Sequence, residues 1–203
     1  MTSGKYLAMG SGALGTVGLG GSAVYMYGFR EDTLETRVRN HFKDRKHMLV
    51  LNSSTQTEWT KFKEFYSHST DEKPKDIDKE KIAKWCEEKL ASRDESSFEL
   101  VKKWCVINSR SLRDEALASN RKVIPESGSN SAAEWKSAWT TYNSKKGELA
   151  IVDGTFKEAE KTTSDTGGPA LQAWCQAKSS QFMYEYVGED KGYEKYYSWC
   201  TKE

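Results

Sequence analysis

Every cysteine in this chain directly follows a tryptophan: Trp85-Cys86, Trp104-Cys105, Trp174-Cys175 and Trp199-Cys200. With 7 tryptophans in 203 residues, four such adjacencies arise by chance on the order of once in a million sequences, so the pattern points to internal duplication. The residues ahead of each pair of dipeptides agree. Glu58-Trp59, Phe62 and Tyr66 precede the first two, and Glu134-Trp135, Trp139 and Tyr142 precede the last two. One unit is therefore written twice, as residues 31–108 and 109–203, and the polar run Glu126 to Ser131 reads as a linker between the halves. Each half, roughly 75 to 90 residues, is small for an independent core, and its aromatics are the economical way to fill one.

The periodicity within each half is helical, which predicts a mostly α fold of two tandem units of short amphipathic helices. Leu34, Val38 and Phe42 share a face after the capping pattern Asp32 to Glu35, predicting a helix to about Lys46. Met48 to Leu51 is a short apolar run, either extended or a buried connection. Trp59, Phe62, Phe65 and Tyr66 stand at helical spacing, and Lys73-Pro74-Lys75 breaks that helix. Asp78, and then Ser96 with Glu99, are capping candidates for helices that carry Ile82, Trp85, Cys86 and Leu90, then Phe98, Val101, Trp104 and Cys105. In the second half Leu112, Ala116 and Leu117 match the opening helix, and Val123-Ile124-Pro125 matches Leu49 to Leu51. Ser131 and Glu134 form a capping box for the helix of Trp135, Ala138, Trp139 and Tyr142.

Residues 147–168 interrupt the pattern and read as an insertion. Leu149 to Val152 suits a short strand, Asp153-Gly154 and Asp165 to Gly168 suit turns, and Pro169 suits the first position of a new helix. Leu171, Trp174 and Cys175 then face inward. Tyr193, Tyr196, Tyr197 and Cys200 follow the i, i+3, i+4, i+7 rule.

Ahead of this region, residues Tyr6 to Phe29 carry no charge. A helix of about 20 residues crosses a hydrocarbon core of about 30 Å, so residues 1–30 are expected to be a membrane anchor with its span at about 6–28. Its glycines weaken a helix in water and are tolerated in lipid, and Tyr6, Tyr25, Tyr27 and Phe29 suit the interfaces. A signal peptide cut after Gly21-Ser22-Ala23 fits less well, because the apolar run continues beyond the cut. Gly10-Ser-Gly12-Ala-Leu-Gly15 matches the dinucleotide pattern, but no alternation of strands and helices follows it. Lys5 stands alone before the span while Arg30, Arg37, Arg39, Lys43, Arg45 and Lys46 follow it. That asymmetry favours an inward-facing domain, whereas paired cysteines favour an extracellular one, and we expect the latter.

Little in the composition suggests catalysis. Charged residues are 30% of the chain but the net charge is only +1, so no overall field calls for nucleic acid. The cysteines are spaced too widely for a structural zinc site. A catalytic thiol wants a histidine partner, and His41, His47 and His68 all lie in the first half while the cysteines occur in both. Two readings of the cysteines remain, a disulfide within each half (Cys86 with Cys105, Cys175 with Cys200) or four buried thiols. Trp59, Trp85, Trp104, Trp135, Trp174 and Trp199 are expected in the core rather than as platforms for bases or sugars. Lys43, Arg45 and Lys46 suit a wet face more than a lipid contact, and Glu58 and Glu134 suit the first turn of a helix. No cofactor and no catalytic residue is expected.

Taken together, the glycine-rich span, Glu-Trp, tyrosines and paired Trp-Cys motifs at Trp59, Trp85-Cys86, Trp104-Cys105, Trp135, Trp174-Cys175 and Trp199-Cys200 resemble the paralogous short membrane and surface proteins of haemotropic mycoplasmas. The resemblance covers essentially the whole chain. It implies a single-pass, surface-exposed, non-enzymatic protein whose partners are the lipid bilayer, through residues 6–28, and a host surface molecule. An inward-facing membrane scaffold with free thiols is the competing expectation, and a dinucleotide-binding enzyme using Gly10 to Gly15 a remote one.

Overall fold

The computed structural model describes residues 32–203 except Ser129, Asn130, Thr155 and Asp190. The expected span at residues 6–28 and the Gly10 to Gly15 motif lie outside these residues. Among the described residues no helix is long and apolar enough to cross a membrane.

The same order of elements occurs twice. In the first half it runs α1 (Leu34–His41), β1 (Met48–Val50), α2 (Gln56–His68), α3 (Ile82–Ala91), α4 (Phe98–Trp104) and β2 (Val106–Asn108). In the second it runs α5 (Leu112–Ala118), β3 (Lys122–Val123), α6 (Ser131–Lys145), α7 (Ser164–Ser179), α8 (Gly192–Trp199) and β4 (Thr201–Lys202). The fold is mostly helical, as the periodicity predicts. Each half closes with its last strand pairing antiparallel to its first, β1 with β2 and β3 with β4.

Equivalent backbone bonds hold equivalent places. Leu51 donates to the carbonyl of Cys105 at 2.9 Å and Ile124 to that of Cys200 at 3.0 Å. Leu34 donates to Ser92 and Leu112 to Gln181, both at 2.8 Å. The first helix of each half is capped by a hydroxyl: Thr33 Oγ1 accepts from the Thr36 amide and Ser111 Oγ from the Asp114 amide. Such caps satisfy amides that a helix start leaves unpaired.

Each half also has its own core. The first gathers Leu34, Val38, Phe62, Tyr66, Ile82, Val101 and Trp104 with the Cys86 and Cys105 sulfurs. The second gathers Leu112, Ala116, Trp135, Trp139, Tyr142, Leu171 and Trp199 around Cys175 and Cys200. Asp32–Glu203 nevertheless pack as one unit, so the halves are two cores of a single body.

Several local expectations are corrected. The first helix stops at His41 rather than near Lys46, and its cap is Thr33 rather than Asp32. Asp94, not Ser96, caps the turn leading into α4, accepting from the Ser96 amide. Asp78 does cap the turn that opens α3, its side chain accepting from the amides of Glu80 and Lys81 and its carbonyl from that of Ile82. The polar run from Glu126 lies inside the second half, between β3 and α6, and not between the halves. Ser131 Oγ donates to the Gly128 carbonyl rather than capping α6. Leu149 to Val152 is no strand, for Gly147–Leu149 forms a 3-10 turn.

The largest revision concerns Asp165 to Gly168, which is helix and not turn. α7 starts at Ser164, capped by Thr163, and Pro169 lies inside it. The glycines are there for packing. A Cβ at Gly167 would sit 2.1 Å from the Trp139 ring, and one at Gly168 would sit 3.0 Å from the Lys136 backbone nitrogen. Alanine normally favours a helix interior by about 1 kcal/mol over glycine. At Gly167 the sign reverses, because Trp139 is only 2% exposed and has nowhere to go. We expect Gly167→Ala to lose about 1–3 kcal/mol, the usual cost of overpacking, read as a lower urea midpoint. Gly154→Ala, where a Cβ meets nothing within 4 Å, serves as the neutral control.

Candidate functional site

The residues singled out by the sequence converge on the two cores. Cys86 is bonded to Cys105 and Cys175 to Cys200, with Cα separations of 5.4 and 5.6 Å. In each half the bridge ties the second long helix to the residue just after the last one. All four cysteines are buried, Cys175 being the most exposed at 4%.

The tryptophans hold the connections. Trp59 Nε1 donates to the Asn52 carbonyl at 3.0 Å and Trp135 Nε1 to that of Pro125 at 2.8 Å. Trp104 Nε1 donates to Glu72 at 2.8 Å and Trp199 Nε1 to Leu149 at 2.9 Å. Each equivalent pair thus pins an equivalent loop. Tyr66 meets Trp104 edge-on at 4.8 Å, and Tyr142 meets Trp199 edge-on at 5.3 Å. The exception is Trp85, which is only partly buried against the first core. Its counterpart Trp174 is buried, with an indole nitrogen that has no partner among the described residues.

Among the described residues, charged side chains are buried only in the second half. Lys195 and Glu189 form an ion pair with side chains 4% and 3% exposed. The same Glu189 Oε2 also accepts from the Val152 amide at 3.0 Å. Lys178 reaches Asp153 at 2.9 Å and donates to the Val187 carbonyl at 2.7 Å. Tyr142 and Lys146 both donate to Glu158, and the Tyr142 hydroxyl accepts from the Ile151 amide. These bonds anchor residues 147–160, the longer connection that the first half lacks.

Burial pushes the Glu158 carboxyl up, but the bonds from Lys146 and Tyr142 outweigh it and hold the group below its ordinary value of 4.5. Glu115, held by Asn108 and Arg110, is likewise lowered against its burial. A carboxyl depressed in the folded state contributes stability above its unfolded value and loses it as pH falls through the folded one. The expected result is a melting temperature that is level near neutrality and declines below about pH 4.5. Glu158→Gln should flatten that decline in a pH series of thermal melts.

The segment from Gln181 to Val187, which no sequence motif singles out, straps the halves together. Its side chains alternate between cores. Phe182 and Tyr184 join the first, while Met183 and Val187 join the second. Tyr184, from the second half, is 6% exposed inside the first core. Glu185 pairs with Lys61 at 3.2 Å, and that ammonium lies 4.7 Å above the Phe182 ring. His68 stacks on Tyr186 at 3.8 Å with the rings 7° apart. Beside the strap is an open cleft of about 380 Å³, lined among others by Phe65, Asp71, Glu185, Tyr193 and Glu194. The period-2 placement of Phe182, Tyr184 and Tyr186 is the sequence signal that could have marked this segment as extended.

No family model, curated protein or solved structure matches the chain. Among the described residues no group of three or more His, Cys, Asp or Glu side chains could hold a metal ion. His41 packs edge-on against Phe42 at 4.6 Å, and the His47 carbonyl accepts from Ser109. Glu58 and Glu134 lie in the first turns of α2 and α6, where a negative charge suits the helix dipole. Glu134 is in addition bonded to Lys202. Arg45 leans over Phe42 beyond the end of α1.

Proposed function

We propose that this is a membrane-tethered, non-enzymatic display protein whose extracellular part consists of two disulfide-stapled copies of one helical module. The observation that carries this reading is the presence of one buried disulfide in each half at equivalent positions. Disulfides persist in oxidising surroundings, and small modules with limited cores rely on them. The uncharged segment Tyr6 to Phe29 supplies the tether, and the resemblance to haemotropic mycoplasma surface proteins supplies the setting, in which a host surface molecule is the partner. Helical scaffolds stapled in this way keep their shape while exposed side chains vary, which suits a contact or antigenically varying surface.

Protease added to intact cells tests this. The account expects the soluble region to be cut without lysis, and the uncut protein to migrate differently after reduction. Full protection until lysis, with four alkylatable thiols, would instead establish the inward-facing scaffold with free thiols.

A further inference from the structure

The strap lies along a stripe of α2: Lys61 holds Glu185 and lies over the Phe182 ring, and His68 stacks on Tyr186. Phe65, on the same stripe, lines the adjoining cleft. In the second half the matching stripe of α6 is Glu134, Ser137, Thr141 and Ser144, since Trp135 stands where Trp59 does and Tyr142 where Tyr66 does. This stripe carries no strap among the described residues. Glu134, Ser137 and Thr141 instead line an open groove of about 600 Å³, with Tyr197 and Trp199 of α8 on its other side.

We propose that this groove is a docking site for a partner segment with the chemistry of the strap, two or three aromatic side chains flanking a carboxylate. Two features argue for that occupant. The module already binds such a segment at the equivalent place, so its shape is one the fold accommodates. A cation is also open to it: Arg121 and Lys202 are paired with the lining carboxylates Glu203 and Glu134, whereas Lys145, also on the groove, is exposed and has no ion pair among the described residues. It lies two turns beyond Ser137, the residue that replaces Lys61, and so supplies a cation for the carboxylate. Ser137 and Thr141 in place of Lys61 and Phe65 reduce the apolar area, so the contact is weak and reversible where the internal strap is permanent. A second copy's own strap is an unsuitable donor, because its Tyr184 is buried in its own first core.

The inference rests on the two-module reading but not on the tether or its orientation. Its test is binding of a fluorescein-labelled synthetic peptide of residues 180–188 to the full chain in detergent, read by anisotropy. The expected result is saturable binding at micromolar to millimolar peptide, weakened about tenfold, equivalent to about 1.4 kcal/mol, by Lys145→Glu. Ser137→Trp should block it, Lys61→Glu should leave it unchanged, and a peptide with Glu185→Lys should not bind. Both groove positions are exposed, and circular dichroism would verify folding of each variant. Absence of saturable binding would overturn the proposal. So would loss with Lys61→Glu alone, which would place the peptide on the first module, and so would concentration-dependent dimerisation abolished by Lys145→Glu, which would make a second copy the occupant. None of these outcomes bears on surface proteolysis of intact cells, so this inference and the display reading fail separately.

Discussion

Replacing Cys175 and Cys200 by serine lowers the stability of the soluble region by about 3 kcal/mol, and replacing Cys86 and Cys105 does nearly the same. The estimate follows from loop closure. The bridges span sequence separations of 25 and 19 residues, and in the chain-entropy model loops of that size each contribute about 3 kcal/mol. For a domain of this size a loss of about 3 kcal/mol is worth about 6 to 12 °C in melting temperature. Removing both bridges takes away about 6 kcal/mol, as much as the whole stability of many small domains. The quadruple variant, or the reduced protein, is therefore expected to be largely unfolded at 37 °C. Thermal melts by far-UV circular dichroism, with and without reductant, provide the check. A reduced protein that melts within a few degrees of the oxidised one would show that the cores suffice alone.

Trp104→Ala costs about 3–5 kcal/mol, the range for removing a fully buried aromatic. Trp104 is 1% exposed and fills the space between Tyr66 and Phe62. Its indole nitrogen also satisfies the carbonyl of Glu72, so truncation leaves a cavity and frees the loop after α2. The structure ranks its neighbour well below it. Trp85 is only partly buried, so Trp85→Ala is expected to cost about 1–2 kcal/mol, in proportion to the apolar area it covers. Urea unfolding of the two variants measures the difference directly, and equal losses would contradict the packing described here.

Much of this was legible because the signals were local and repeated. A cysteine in phase with Ile82 or Leu171 has to face the core if the helix is amphipathic, and the tryptophan before it sits about 100° round on the same inner side. An even count shared between two units left two readings open, a bridge within each half or four buried thiols, and the structure has the bridges. What escaped was set by contacts distant in sequence. Asp165 to Gly168 has turn composition, yet it is helix because Gly167 and Gly168 let α7 approach Trp139 and Lys136 closely. A glycine chosen for a neighbour's bulk looks the same in one dimension as a glycine chosen for a turn. Capping residues were misplaced by one or two positions, as local rules commonly allow. The strap was missed because Phe182 to Tyr186 has no helical period and sits between two strong helices. Lys195 was invisible as a buried charge, since its partner Glu189 lies in an irregular loop.

The candidate site was legible only in part. The cysteines and the tryptophans other than Trp85 are buried, and Trp85 only partly so. The inter-module cleft and the uncovered α6 stripe arise from the way the second half lies on the first, and no spacing rule within one helix reports that.

The central claim is that one stapled module is used twice, and peptide mapping of the unreduced protein from its native membrane tests it most directly. Tryptic digestion followed by mass spectrometry should recover Cys86 linked to Cys105 and Cys175 linked to Cys200, with no thiol open to alkylation before reduction. A peptide joining a cysteine of the first half to one of the second, or four alkylated cysteines, would contradict it.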